Sequence, residues 1–208
     1  MINRDDYLLE LPNLKIDETD ISRLLQLIDD SSQYWTAWSD EKTRAVENKE
    51  DWGRNIDWGS WLNYPGGMYG FPIINEITSR FPKSLTSSLG TITCSIMKLR
   101  PNSVFDVHRD LLADGVTPVR IAALMIPITK NPDPIFFANN GEPDHSVVLE
   151  HSYTCPTVVN ALAWHGVRND SNSDRITLQF GIGPKGLLGD KKSGWAEVFD
   201  LFNRSGLA

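Results

Sequence analysis

The 208-residue sequence predicts a mainly β protein, a sandwich or barrel, with helices flanking it at both ends. Three observations lead there. Seven short apolar runs fall between residues 91 and 182, each separated from the next by a turn signal. Before them, Ile21, Leu24, Leu25 and Ile28 recur at i, i+3, i+4 and i+7, one face of a helix. After them, Trp195, Val198, Phe199 and Phe202 make a second such face, with Gly206 beyond it.

In chain order, Tyr7-Leu8-Leu9 is a short strand-like piece, and Thr19 or Asp20 is placed to cap the first helix. Residues 34–71 hold five of the seven tryptophans, Trp35, Trp38, Trp52, Trp58 and Trp61, with Tyr34, Tyr64 and Tyr69. Periodicity there is poor. Two readings stand: aromatic packing of loops on a core, or a lid or substrate-binding wall. Residues 73–80 predict a short helix with a proline near its start. The β runs are 91–99, 104–107, 119–128, 135–138, 146–151, 157–164 and 175–182. No linker rich in Gly, Ser or Pro divides the chain, so residues 1–208 read as one domain. Its parts are a helical, Trp-rich region (1–90) packing on the barrel, the β core (91–183) and a C-terminal helix (184–208).

Composition removes several classes of function. With 40% apolar and 23% charged residues, the chain has the makeup of a folded domain and not of a disordered tail. A net charge of −7 argues against a nucleic-acid backbone footprint and against docking on anionic lipid. No stretch reaches the length of a membrane span, and the N-terminus lacks the order of a signal peptide. Cys94 and Cys155 are too few for a disulfide framework and read as free thiols. The expectation is a cytoplasmic protein without a membrane or nucleic-acid partner.

The chemistry lies in three short segments. Residues 105–110 read Phe-Asp-Val-His-Arg-Asp, and on an extended chain His108 and Asp110 point the same way. Residues 164–167 read Trp-His-Gly-Val, with His165 closing the run 157–164. Two imidazoles and one carboxylate make a facial ligand set that suits non-haem Fe(II), with Zn²⁺ or Ni²⁺ also able to bind. In the run 175–182, Ile176, Leu178, Phe180 and Ile182 form one face and Arg175, Thr177 and Gln179 the other. A guanidinium beside a hydroxyl is a carboxylate clamp. Alternatively, Arg175 pairs on the surface with Asp170 or Asp174. Arg120 shares strand parity with Ala122, Leu124 and Ile126. It reads either as a second carboxylate contact or as a strand-end arginine reaching solvent. His145 and His151 have no matching partners, Asn169 forms a turn, and Trp164 points away from His165 into core. His108-Arg109-Asp110-Leu111 also spells the start of a kinase catalytic loop. That loop requires Asn where this chain has Gly115.

His108-x-Asp110, a distal His165, and Arg175-x-Thr177 ten residues later resemble the Fe(II)/2-oxoglutarate-dependent oxygenases. The branch most similar is that of the proline and aspartyl/asparaginyl hydroxylases. It shares an Arg-led strand ending in Pro, here Arg120 to Pro127, and a His-x-Val-x-Asn segment, here His165 to Asn169. The resemblance covers about residues 95–183. It implies a double-stranded β-helix, the jelly-roll or cupin-like barrel. It implies Fe(II) on His108, Asp110 and His165, and 2-oxoglutarate on Arg175, Thr177 and Arg120, with ascorbate as reductant. The activity implied is hydroxylation of a small molecule, amino acid or peptide by molecular oxygen, releasing succinate and carbon dioxide. The alternative is a non-catalytic cupin-like module that binds metal or ligand.

Overall fold

The computed structural model describes residues 3–37, 60–62, 67–83, 92–111, 118–130, 134–139, 146–183 and 191–208. Two antiparallel sheets face each other. The larger is ordered β1(Leu8–Glu10)-β9(Thr157–Asn160)-β6(Ala122–Pro127)-β11(Arg175–Ile182)-β4(Ile92–Leu99)-β3(Ser60–Leu62)-β2(Trp35–Ala37). The smaller is β5(Ser103–His108)-β10(His165–Asn169)-β7(Pro134–Ala138)-β8(Val147–Ser152). Helices α1 (Glu18–Asp30), α2 (Pro72–Thr78) and α3 (Lys191–Arg204) supply the flanking layer.

The period of two along each strand divides the core in two. Leu178, Phe180 and Ile182 of β11, with Leu124 and Ile126 of β6, pack outward. They meet Leu24 and Ile28 of α1, Ile74 and Ile77 of α2, and Val198 and Phe202 of α3. The intervening residues, Ala123 and Met125 of β6, turn inward against Ile135, Phe137 and Val167 of the small sheet. β6 is thus buried on both faces, which is why its sequence is continuously apolar. The predicted β11 alternation holds, and Arg175, Thr177 and Gln179 face the space between the sheets.

Several elements differ from the sequence reading. The N-cap of α1 is Asp17, one turn before the first periodic residue. Its side chain accepts from Asp20 N, and Asp20 accepts from Asp17 N, a reciprocal capping box. The region 1–90 is not only helical: β1, β2 and β3 extend the large sheet at its two edges. Tyr34 and Trp35 pack against the core, with Lys98 Nζ 4.6 Å from the Trp35 ring centre, so this end of the aromatic stretch packs on the core. Trp38, Trp52, Trp58, Tyr64 and His145 lie outside the described residues. The run 157–164 is two elements. Asn160 Oδ1 accepts from Leu162 N and its carbonyl from Ala163 N, a turn that ends β9. His165 therefore opens β10 and does not close the preceding strand. The run 119–128 starts late, at Ala122, so Arg120 lies outside the strand and its parity does not apply. Among the described residues, no helix is long and apolar enough to cross a membrane.

Candidate metal centre

The antiparallel register of β5 and β10 places His108 directly opposite His165. Directly paired residues hold their Cβ atoms a few ångströms apart, so pairing alone brings the imidazoles together. Their ring centres are 4.4 Å apart. Asp110 follows two residues after His108. Its backbone is held from two sides, its N–H donating to Ala161 O at 3.0 Å and its carbonyl accepting from Val119 N at 2.8 Å. Asp110 Oδ1 lies 3.6 Å from His108 Nε2. One donor atom from each of His108, Asp110 and His165 lies within 4.8 Å of the other two.

The surroundings orient these donors. His165 is buried, and its Nδ1 donates to Ala163 O at 2.8 Å, leaving Nε2 for a metal. The Phe105 ring meets His108 edge-on at 4.6 Å. Gly166 makes room for the small sheet to close. A Cβ there would lie 2.8 Å from Phe105 O and would run into the Phe136 ring. The β5–β10 register also shifts between His165 and Val167, an irregularity of the kind that re-aims side chains beside sites. Two imidazole nitrogens and a carboxylate oxygen, converging and oriented, fit a divalent transition metal.

A cavity opens against the triad. Its apolar wall includes Met97, Phe105, Met125, Ile135 and Val167, and its polar groups beyond the triad are Arg120 and Gln179. Gln179 is buried, on the inward face of β11, and its Oε1 accepts from Ser95 Oγ at 3.5 Å. Arg120 Nε lies 3.2 Å from Asp110 Oδ2. It does not reach out to solvent, because it precedes β6 and folds back onto the triad.

Arg175 and Thr177 lie further along the same inward face, both buried. The Arg175 guanidinium packs 5.1 Å from the centre of the Tyr153 ring. The Tyr153 hydroxyl is 3.4 Å from Thr177 Oγ1. The surface-pair reading of Arg175 is set aside by its 5% exposure. The two aspartates have other partners, Asp174 with Lys98 and Asp170 with Arg168. Asn169 does form the predicted turn. Its amide donates to Ser173 O and Leu99 O, and its Oδ1 accepts from Ser171 N. Trp164 is only half-buried, with Arg109 stacked 4.7 Å from its ring centre, so the segments bearing both histidines are braced on the outer side. His151 is engaged with Glu10 at 3.2 Å, and burial holds its imidazole below the usual range. Tyr153 carries no spacing signal in the sequence. Gln179 does, since its parity with Arg175 and Thr177 points to the same face.

No family model and no curated protein sequence matches the chain. Solved structures match in fold. A prolyl hydroxylase from Trichoplax adhaerens, in complex with a hypoxia inducible factor oxygen degradation domain peptide fragment, superposes at a TM-score of 0.54 with 13% identity. The match covers 88% of this chain and 87% of that one. HygX from Streptomyces hygroscopicus, with nickel, 2-oxoglutarate and hygromycin B bound, gives 0.52 and 11%, over 88% and 85%. SnoN, a non-haem alpha-ketoglutarate-dependent epimerase from nogalamycin biosynthesis, gives 0.54 and 10%, over 89% and 84%. The likeness is one of fold, and it bears out the double-stranded β-helix of the Fe/2-oxoglutarate oxygenases.

Proposed function

We propose that the protein is a 2-oxoglutarate-dependent non-haem iron dioxygenase that hydroxylates a small molecule, amino acid or peptide. The observation that carries this reading is the cross-strand histidine pair with Asp110 beside it, opening on a cavity inside a double-stranded β-helix. HygX and the Trichoplax enzyme, solved with hygromycin B and a peptide fragment respectively, support a substrate of this general kind.

In this reading His108, Asp110 and His165 would hold Fe(II) through two imidazole nitrogens and a carboxylate oxygen. The iron, when bound with 2-oxoglutarate and molecular oxygen, supplies the oxidative chemistry, with release of succinate and carbon dioxide. The protein's part is positional. The buried Arg175 guanidinium presents a planar pair of donors for the far carboxylate of 2-oxoglutarate. The Thr177 and Tyr153 hydroxyls stand beside it as further donors. The Met97, Met125, Ile135 and Val167 side chains make the cavity wall beside the triad apolar, which limits water there.

The experiment is 2-oxoglutarate turnover by the full chain, with Fe(II) and ascorbate, read as succinate formed. Turnover is expected to require Fe(II) and to vanish in His108→Ala and Asp110→Ala. In Arg175→Lys the affinity for 2-oxoglutarate should fall about tenfold or more, since Lys lacks the planar fork. Full turnover in both triad variants would overturn the site.

A further inference from the structure

The carboxylate of Asp110 is divided between two partners. Oδ1 faces His108 Nε2 at 3.6 Å, on the side where the three donors converge. Oδ2 faces Arg120 Nε at 3.2 Å. Arg120 is only 20% exposed at its side chain and borders the same cavity, so this pair is shielded on much of its surface. The neighbouring strand of the same sheet makes space for it. A Cβ on Gly181 of β11 would meet Thr93 Oγ1 at 2.6 Å and Arg120 Cδ at 3.4 Å, so the glycine leaves a lane in which the arginine stem lies.

We infer that Arg120 is a positioning residue that reserves Oδ2 of Asp110, restricting this ligand to a single oxygen on the metal. A carboxylate with both oxygens free can chelate a cation and fill two positions. One whose second oxygen is held by a guanidinium cannot, and a coordination position stays available to an incoming chelating ligand. The guanidinium also offsets the carboxylate charge beside the cation, which weakens metal binding. This inference rests on the triad being a metal centre. It departs from the expected role of Arg120 as a direct contact to 2-oxoglutarate.

The test uses Arg120→Met in the full chain, in the wild-type background and with Asp110→Ala, with Mn(II) alone as the first probe and calorimetry as the readout. The expected result is Mn(II) bound about tenfold more tightly by Arg120→Met than by wild type, with no effect of Arg120→Met in the Asp110→Ala background. Added to Mn(II)-loaded protein, 2-oxoglutarate should bind Arg120→Met about tenfold more weakly than wild type. Unchanged or weaker Mn(II) binding would overturn the inference. So would a loss of 2-oxoglutarate affinity that persists in the Asp110→Ala background, which is the signature of a direct contact. Wild type that binds Mn(II) but no 2-oxoglutarate would overturn the oxygenase reading, and the Mn(II) comparison would still decide the role of Arg120.

Discussion

His165 and Gly166 show how closely the site depends on single atoms. The imidazole is aimed by one bond from Nδ1 to Ala163 O, and the next residue must be glycine because Phe136 and the Phe105 carbonyl occupy the space a Cβ would take. Gly166→Ala should therefore cost about 1–3 kcal/mol of stability through overpacking and displace the histidine beside it. Chemical denaturation and a Mn(II) titration would check both effects, and unchanged values in both would contradict this account. At this scale the sequence was most informative. The grouping of His108, Asp110 and His165 was legible from motif order, although Asp110 lies past the end of β5 and His165 opens β10. Arg120 was not, because the start of β6 at Ala122 is set by tertiary pairing with β9 and β11 that no local pattern records. Tyr153 was not, because it meets Thr177 across 24 residues with no periodicity linking them.

At the scale of elements, α1 is anchored by Asp20, which is buried although charged. It completes the capping box with Asp17 and accepts from Arg80 at 2.6 and 2.9 Å. The Arg80 guanidinium holds the Asp20 carboxyl below the usual carboxylate range, against the opposing effect of burial. A lowered folded-state value means the stabilisation is present above the unfolded value, about 4, and is lost as pH falls through the folded one. Asp20→Asn should cost about 1–3 kcal/mol at neutral pH, and the gap from wild type should narrow below about pH 4. Urea melts across pH would show this, and a gap constant down to strongly acidic pH would contradict it. The helix was legible from its apolar stripe, while its start was not. The capping box lies a turn ahead of the first periodic residue, and Arg80 arrives from 60 positions away. Strands β2 and β3, which end the large sheet on one side, were missed for a related reason: their three-residue lengths are too short for alternation to register.

For the whole molecule, the large sheet serves two purposes at once. Its outward face forms an apolar layer with the three helices, and its inward face carries Gln179 at the cavity, with Thr177 and Arg175 further along the strand. Phe180, fully buried and edge-on to Phe81 with ring centres 4.9 Å apart, belongs to the first. Phe180→Ala should lower stability by about 3–5 kcal/mol, while any folded fraction still binds Mn(II) as wild type does. A large loss of metal affinity in the folded variant would show that the two faces are not independent. The β core was legible because regular turns punctuate apolar runs, and its closure into a double-stranded β-helix was carried by the resemblance.

The central claim is that one centre built from His108, Asp110 and His165 binds iron and 2-oxoglutarate together. The most direct measurement is an anaerobic titration of the full chain with Fe(II) and then 2-oxoglutarate, following visible absorption. A charge-transfer band that appears only after 2-oxoglutarate is added, and that is absent in His165→Ala, is the result predicted here. Folded protein that takes up iron and shows no such band would contradict it and favour a non-catalytic metal-binding barrel.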